Sequence, residues 1–363
     1  MRVALVHDWL VSNRGGEHVL DAMCELYPSA EIFTLIHKKG SVSERIEGRP
    51  IHTSFLQSVP GIFERYRHFL PLFPAAIRTL RPRGFDLVLS SSHCVAKGIP
   101  VPEGARHVSY IHAPMRYMWE LFDDYFGPGR ASLPVRIAAL AARPALQAWD
   151  TATAKSVHHF IANSQNIARK VALHYGREAS VVHPPVELPA FEALPESGGG
   201  QGGYFLWVGA AAPYKRLDLV LEAFSRLKLP LWIAGPGKFP RGLPPRVRLL
   251  GEVPAAELPR LYWNARALLF PGDEDFGITP LESQAAGRPV IALARGGALE
   301  TLTPRSALFF QEQSVMALVA ALKQFPQWER TFDPREARAQ AALFGRERFL
   351  RELNSQVLEG FGG

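Results

Sequence analysis

The sequence predicts an α/β protein built as two Rossmann-like domains, each a parallel sheet covered by helices. Three observations predict it. Short apolar runs alternate with helically spaced stretches along the whole chain, which is the pattern of parallel strands joined by helical crossovers. The runs fall into two series on either side of a glycine-rich stretch, Ser197-Gly198-Gly199-Gly200-Gln201-Gly202-Gly203. A length of 363 residues suits two domains rather than one.

In the first series, strands are expected at 3–6, 31–35, 87–90, 107–110, 159–162 and 180–182. In the second they are expected at 204–208, 231–234, 247–250, 267–270, 290–292 and 307–310. Helical spacing recurs between them, as at 17–26 and 217–227. The first domain is set at 1–186 and the second at 204–340. Residues 187–203 have the composition of a flexible linker. The closing segment, 341–363, places Phe349, Leu350, Leu353, Val357 and Leu358 at helical spacing. That helix packs either on its own domain or back on the first.

An apolar content of 47% supplies two cores. Two cysteines, Cys24 and Cys94, exclude a disulfide framework and a zinc site and fit a reduced, cytoplasmic compartment. The opening strand is too short for a signal peptide, and no apolar run is long enough to span a bilayer. The net charge is +7, with the excess of Lys and Arg in the first half. It suits either a solvated basic face or an anionic partner such as a lipid surface. The stretch 62–73, apolar and aromatic with Arg65 and Arg67 inside it and Arg78, Arg81 and Arg83 nearby, is the expected place for peripheral membrane contact. Core packing with a basic outer face is the alternative reading. Nothing points to nucleic acid.

The chemistry concentrates in loops that follow strands, where open α/β sheets bind ligands. After 267–271 comes Glu274-Asp275-Phe276-Gly277-Ile278-Thr279-Pro280-Leu281-Glu282, with a helix and a further strand behind it. Its carboxylates accept hydrogen bonds only, which suits sugar or ribose hydroxyls; Glu282 can instead serve a helix start. After 204–208, small residues lead to Lys215 and Arg216 at the beginning of a helix. Such a pair suits an anion, or is simply exposed. The turn Ser12-Asn13-Arg14-Gly15-Gly16-Glu17 opens another helix but is not G-x-G-x-x-G, which argues against a nicotinamide dehydrogenase. His112 and Arg116 lie in Tyr110-Ile111-His112-Ala113-Pro114-Met115-Arg116-Tyr117-Met118-Trp119. Asp123-Asp124 has no third ligand at a useful spacing, so no metal site is expected. Ser164 is an expected helix cap.

These segments together resemble the retaining glycosyltransferases of family 4. The carboxylate loop resembles the E-x7-E signature with its E-x-F-G-x-x-x-L-E core, followed by Gly287-x-Pro289-Val290. The 204–218 segment is similar to V-G-R-x-x-P-x-K-G/R-x-D, departing at Ala210, where many members have Arg. The 110–119 segment resembles Y-x-H-x-P-x-R-Y-x-W. Ala162-Asn163-Ser164, Pro184-Pro185-Val186-Glu187 and Leu250-Gly251-Glu252-Val253 match further family elements in order.

The resemblance implies a GT-B fold, two Rossmann-like domains facing a central cleft, with a nucleotide-diphosphate sugar as donor and no cofactor or metal. It implies that Glu282 binds ribose, that Glu274 with the backbone of Phe276 and Gly277 holds the sugar, and that Lys215 and Arg216 hold the diphosphate. Arg216 is expected to compensate for Ala210. Backbone groups of Glu252 and Val253 would read the base. Gly15 and Gly16 would approach a phosphate or the acceptor, His112 a sugar hydroxyl, and Arg116 an acceptor phosphate or the donor. His112 joins Glu274 and Lys215 in the expected catalytic set. The 110–119 and 210–216 variants resemble the O-antigen mannosyltransferase branch, which implies GDP-mannose and a glycan or lipid-linked glycan acceptor. The alternatives are a GT-B nucleotide-sugar isomerase or phosphorylase and a noncatalytic carbohydrate-binding scaffold.

Overall fold

Hydrophobic alternation sets the architecture of the first sheet. Along β1 (Val3–His7), Ala4 and Val6 point into one apolar cluster while Val3 and Leu5 point into another. A strand buried on both faces belongs inside a sheet covered on both sides. The computed structural model, which describes residues 1–362, shows β1 in this setting. It is joined by β2 (Glu31–Thr34), β3 (Ile51–Thr53), β4 (Leu87–Ser92), β5 (Arg106–Ile111), β6 (His159–Ala162) and β7 (Ser180–Val181). The order is β3-β2-β1-β4-β5-β6-β7, with every pairing parallel. The strand order reverses between β1 and β4, so loops leaving these two strands diverge and open a crevice at their carboxyl ends.

The second sheet repeats the plan. It contains β8 (Phe205–Val208), β9 (Leu231–Ala234), β10 (Val247–Gly251), β11 (Ala267–Phe270), β12 (Val290–Leu293) and β13 (Ala307–Phe310). The order is β10-β9-β8-β11-β12-β13, again parallel throughout, with the reversal between β8 and β11. Two Rossmann-like sheets with flanking helices make this the α/β GT-B class.

The chain divides into two compact units. One is Met1–Pro185 with the chain from Phe349 onward; the other is Val186–Arg348. The helix Arg346–Gly362 accordingly places Phe349, Leu353 and Val357, all fully buried, in the core of the first unit with Val3, Leu5 and Leu20. Their i, i+4, i+8 spacing makes one continuous stripe. Each such burial is worth roughly 1.5–3 kcal/mol. Gly363 lies outside the described residues.

Residues 187–203, expected as a flexible linker, are instead fastened to the second unit. Phe191 and Leu194 are buried beside Tyr204 and Tyr262. The amides of Gly200 and Gly202 donate to the carbonyls of Trp263 and Asn264 at 2.8 and 3.0 Å. Gly200 has φ +84°, and a β-carbon there would lie 2.4 Å from the Arg288 guanidinium. Glycine here serves close packing, and composition alone does not separate that use from looseness. The sequence also hides β3, a three-residue edge strand with His52 at its centre, too short and too polar to show a period. Ser164 does cap the helix Gln165–Tyr175, accepting from the amide of Ile167 at 3.1 Å.

Candidate functional site

In the second unit, the loops leaving β8, β11 and β12 converge at the switch point. The β8 loop ends in a single turn, Pro213–Lys215, tied back to its strand by Trp207 Nε1 donating to the Lys215 carbonyl at 3.4 Å. The β11 loop crosses directly over this turn. Gly272 permits the crossing: a β-carbon there would lie 2.8 Å from the Tyr214 carbonyl and 3.1 Å from Lys215 Cα. The β12 loop closes on the other side, with the Gly297 amide donating to the Glu274 carbonyl at 2.8 Å.

This crossing brings Lys215 and Glu274 together. Lys215 Nζ donates to both carboxylate oxygens, at 2.6 and 2.8 Å, and the two side chains are only 13% and 15% exposed. Phe276 and Gly277 follow in the same loop, and Gly277 starts the helix Ile278–Ala285 that carries Glu282. Tyr262 donates its hydroxyl to Glu282 Oε2 at 2.6 Å. Burial pushes the Glu282 carboxyl above its ordinary value; the Tyr262 hydrogen bond and the Lys215 charge pull it back down. Burial also raises the Tyr262 phenol well above 10, with the charges of Glu282 and Glu274 adding to the effect. One lysine, two carboxylates and one phenol thus form a single electrostatic group. Tyr262 escaped the sequence reading because its partner Glu282 lies 20 residues on.

Arg216 is differently placed. It adopts φ 51° ahead of the helix Leu217–Leu227. Its guanidinium bonds Asp218 at 3.0 Å and Gln313 Oε1 at 2.7 Å, and Gln313 in turn donates to the Pro271 carbonyl at 3.0 Å. These contacts brace the β11 loop, while Lys215 alone of the pair turns to Glu274. Glu252 and Val253 follow β10, two strands from β8, and the Gly235 amide bonds the Gly251 carbonyl at 2.7 Å, joining the β9 and β10 loops.

The first unit gathers its own group at the carboxyl ends of β1, β4 and β5. His112 follows β5, its amide bonded to the Ser92 carbonyl at 2.8 Å. Ser91 Oγ lies 2.8 Å from His112 Nε2 and 3.1 Å from His7 Nδ1, so one hydroxyl links two imidazoles. Gly16 sits against both rings: a β-carbon there would be 3.4 Å from His7 Cε1 and 4.0 Å from His112 Nε2. Gly15 and Gly16 begin the helix Gly15–Leu26. The Arg116 charge helps hold His112 and its neighbour His93 low, behind the larger effect of burial. Burial holds His7 down to about 4. Asp8 anchors the adjoining loop, accepting from the amides of His93, Cys94, Val95 and Ala96 at 2.6–3.0 Å. Gly15, Gly16, His112 and Arg116 are therefore brought together. His7, Asp8, Ser91 and His93 were not visible as site residues, because each lies at a strand end with no motif around it.

In the stretch 62–73, Ile62, Tyr66, Leu70 and Phe73 are buried in the first unit's core, Phe63 and Phe69 are half-buried, and Arg65, Arg67 and Leu72 are exposed. Its helical turns have one inward apolar face, which a string of aromatic residues does not reveal. Among the described residues no helix is long and apolar enough to cross a membrane.

Two family models match the chain: Glycosyltransferase Family 4 over residues 17–189 and Glycosyl transferases group 1 over residues 199–342. The D-inositol 3-phosphate glycosyltransferase of Geodermatophilus obscurus is 31% identical over 171 residues, covering 38% of this chain and 38% of that protein. The Streptomyces coelicolor protein of the same name is 29% identical over 185 residues, covering 38% and 40%. The match thus spans well under half the length of these curated relatives. Among solved structures, Thermosynechococcus elongatus sucrose-phosphate synthase aligns with TM-score 0.72 and 17% identity, covering 100% of both chains. Anabaena HepE in complex with UDP gives 0.70 and 14%, covering 99% of this chain and 100% of its own. The lipopolysaccharide outer core galactosyltransferase WaaB gives 0.69 and 16%, covering 99% of each.

Proposed function

We propose that this chain, which carries both domains of a family 4-type glycosyltransferase, moves a hexosyl group from a nucleotide-diphosphate sugar to a glycan or lipid-linked glycan. One observation carries the reading: the Lys215–Glu274 pair at the switch point of the second sheet, with Glu282 in the same electrostatic group. Structures of HepE with UDP and with UDP-glucose support the ligand class. The donor we infer is GDP-mannose, from the H-x-P-x-R-Y-x-W and A-x-x-P-Y-K-R variants at 112–119 and 210–216.

In this reading Glu282 accepts hydrogen bonds from the ribose, and Tyr262 fixes its orientation. Backbone groups of Glu252 and Val253 meet the base. Glu274 and the amides of Phe276 and Gly277 hold the sugar hydroxyls. Lys215 meets the diphosphate, where negative charge gathers as the sugar's C1–O bond breaks; a cation already in place there stabilises that charge. The helix start at Gly277 adds favourable partial charge. In the first unit, Gly15, Gly16, His112 and Arg116 are the residues this reading assigns to the acceptor. Transfer proceeds with retention: the acceptor oxygen bonds C1 on the side the phosphate leaves, and the phosphate takes the acceptor proton. No cofactor or metal enters this scheme, and the enzyme works in the cytoplasm at the inner face of the membrane, where a lipid-linked acceptor resides.

The test is a thermal-shift panel of nucleotide sugars followed by release of nucleoside diphosphate, with and without EDTA. Binding to the native state raises apparent stability with occupancy. GDP-mannose is expected to shift the midpoint most and to be consumed in EDTA. A panel in which no nucleotide sugar shifts the midpoint or is consumed overturns the reading.

A further inference from the structure

Helix Leu133–Ala154 has two apolar faces, and only one is used. One face is fixed: Leu146, Asp150 and Ala154 are buried, and Ala139, Ala142 and Trp149 lean on the first unit's core. Asp150 accepts from Trp119 Nε1 at 2.8 Å and Tyr175 at 2.9 Å and pairs with the buried Lys97 at 2.8 Å. In the first half, the opposite face stands clear of the core. Leu133, Ile137 and Leu140 are 66%, 58% and 48% exposed. Their i, i+4, i+7 spacing puts them on one stripe, turned away from the Ala139–Ala142–Leu146 face. Exposed apolar side chains scattered singly need no explanation, but an aligned stripe on a rigid helix does.

The charge around this stripe is one-sided. Between Asp124 and Asp150 the sequence holds Arg130, Arg136 and Arg143 and no acidic residue. Arg143 turns inward, over the Phe122 ring and onto the Met118 and Trp119 carbonyls. Arg130 is exposed and Arg136 half-buried, leaving these two to flank the stripe.

We propose that the Leu133–Ile137–Leu140 stripe is a docking surface for an anionic lipid bilayer, with the helix lying in the interface and Arg130 and Arg136 at headgroup level. The apolar stripe supplies insertion and the arginines supply attraction to anionic lipid. A second copy of the chain is a poorer occupant, since two such stripes would bring arginine against arginine with no exposed carboxylate on the helix to offset them; Asp150, its one acidic residue, is buried. The proposal adds a surface to the reaction inferred above. It is read by binding and not by turnover, so either can fail alone.

The experiment is co-sedimentation of the full chain with vesicles of phosphatidylcholine alone or with phosphatidylglycerol. Wild type is expected to bind the anionic vesicles, with about tenfold loss on raising salt well above physiological strength. Ile137→Asp/Leu140→Asp is expected to weaken binding by at least about tenfold while keeping the wild-type melting midpoint, because both side chains are solvent-facing. As a second readout, Ile137→Cys carrying an environment-sensitive fluorophore is expected to brighten on anionic vesicles; Cys24 and Cys94 are buried and should escape labelling. Absence of wild-type binding to anionic vesicles, or equal binding by the double variant, overturns the proposal. So does a dimer in sedimentation equilibrium that Ile137→Asp/Leu140→Asp dissociates.

Discussion

Lys215 Nζ donates to both carboxylate oxygens of Glu274, at 2.6 and 2.8 Å, across 59 positions of sequence. Each residue therefore fixes the other, and removing either leaves an uncompensated, poorly hydrated charge.

The first prediction follows from that coupling. Lys215→Ala and Glu274→Gln should each lower turnover by about 10²–10³-fold, the usual cost of a lost group aimed at transition-state charge. The double variant should cost little more than the worse single, since the two act as one unit. Glu274→Gln should not weaken binding of free nucleoside diphosphate, because that ligand lacks the sugar and Lys215 keeps its charge. Fully additive losses in kcat/KM would show that the pair is not a unit.

Arg216 supplies the second prediction. Its guanidinium is committed to Asp218 and Gln313, and through Gln313 to the Pro271 carbonyl. The sequence suggested that it replaces the arginine missing at Ala210. The geometry favours a brace for the β11 loop, so Arg216→Ala should lower turnover by less than Lys215→Ala, about tenfold at most for a half-exposed contact. Gln313→Ala should reproduce its effect. Equal losses from Arg216→Ala and Lys215→Ala, with Gln313→Ala silent, would restore the phosphate role.

The third concerns Tyr262 and Glu282. Burial raises Glu282, and the Tyr262 hydroxyl and Lys215 charge hold it down. Removing the hydroxyl raises it further and protonates it at higher pH, turning an acceptor into a donor. Tyr262→Phe should thus shift the acid limb of nucleotide affinity to higher pH, while Glu282→Ala should weaken the nucleotide at every pH. Calorimetric titration with the nucleoside diphosphate from pH 5 to 8 reads both. An unmoved acid limb in Tyr262→Phe would remove Glu282 from the nucleotide contact.

The two parallel sheets were legible because both are buried on two faces, so each interior strand is an apolar run bounded by polar turns. β3 was not, since an edge strand needs no such run. In the site, Glu274, Glu282 and Lys215 could be read because loop chemistry at strand ends is local in sequence. Tyr262 and Ser91 could not, because their roles depend on partners 20 and 21 positions away, brought close only by the fold. Composition records which residues are present and not which way they face: in 187–203 Phe191 and Leu194 turn inward, and 62–73 divides between a buried apolar face and the exposed Arg65, Arg67 and Leu72.

The last prediction concerns acid stability. Burial, aided by the charges of His158 and Lys97, holds His107 down to about 3 from an ordinary 6.5, against a smaller opposing effect of the Ser156 backbone; Ser90 Oγ is 2.9 Å from its Nε2. A histidine with a depressed folded value is neutral in the native state and charges first in the unfolded chain. The unfolded state then binds more protons between about 6.5 and 3, so stability is fully present above 6.5 and falls as pH drops through that window. At pH 4.5 this one group should cost roughly 2–3 kcal/mol. Glu17 acts in the opposite sense, since burial raises it to about 7 from 4.5 and its native form favours protonation over part of the same range. A wild-type pH profile therefore mixes these two with His7, His93 and His112, which burial also holds low, and a variant is needed to isolate His107. Urea unfolding at pH 7.5 and 4.5 should show His107→Gln losing less stability between the two than wild type does, by about that 2–3 kcal/mol. Equal losses in the two proteins would mean that His107 takes up its proton in the folded state as readily as in the unfolded one.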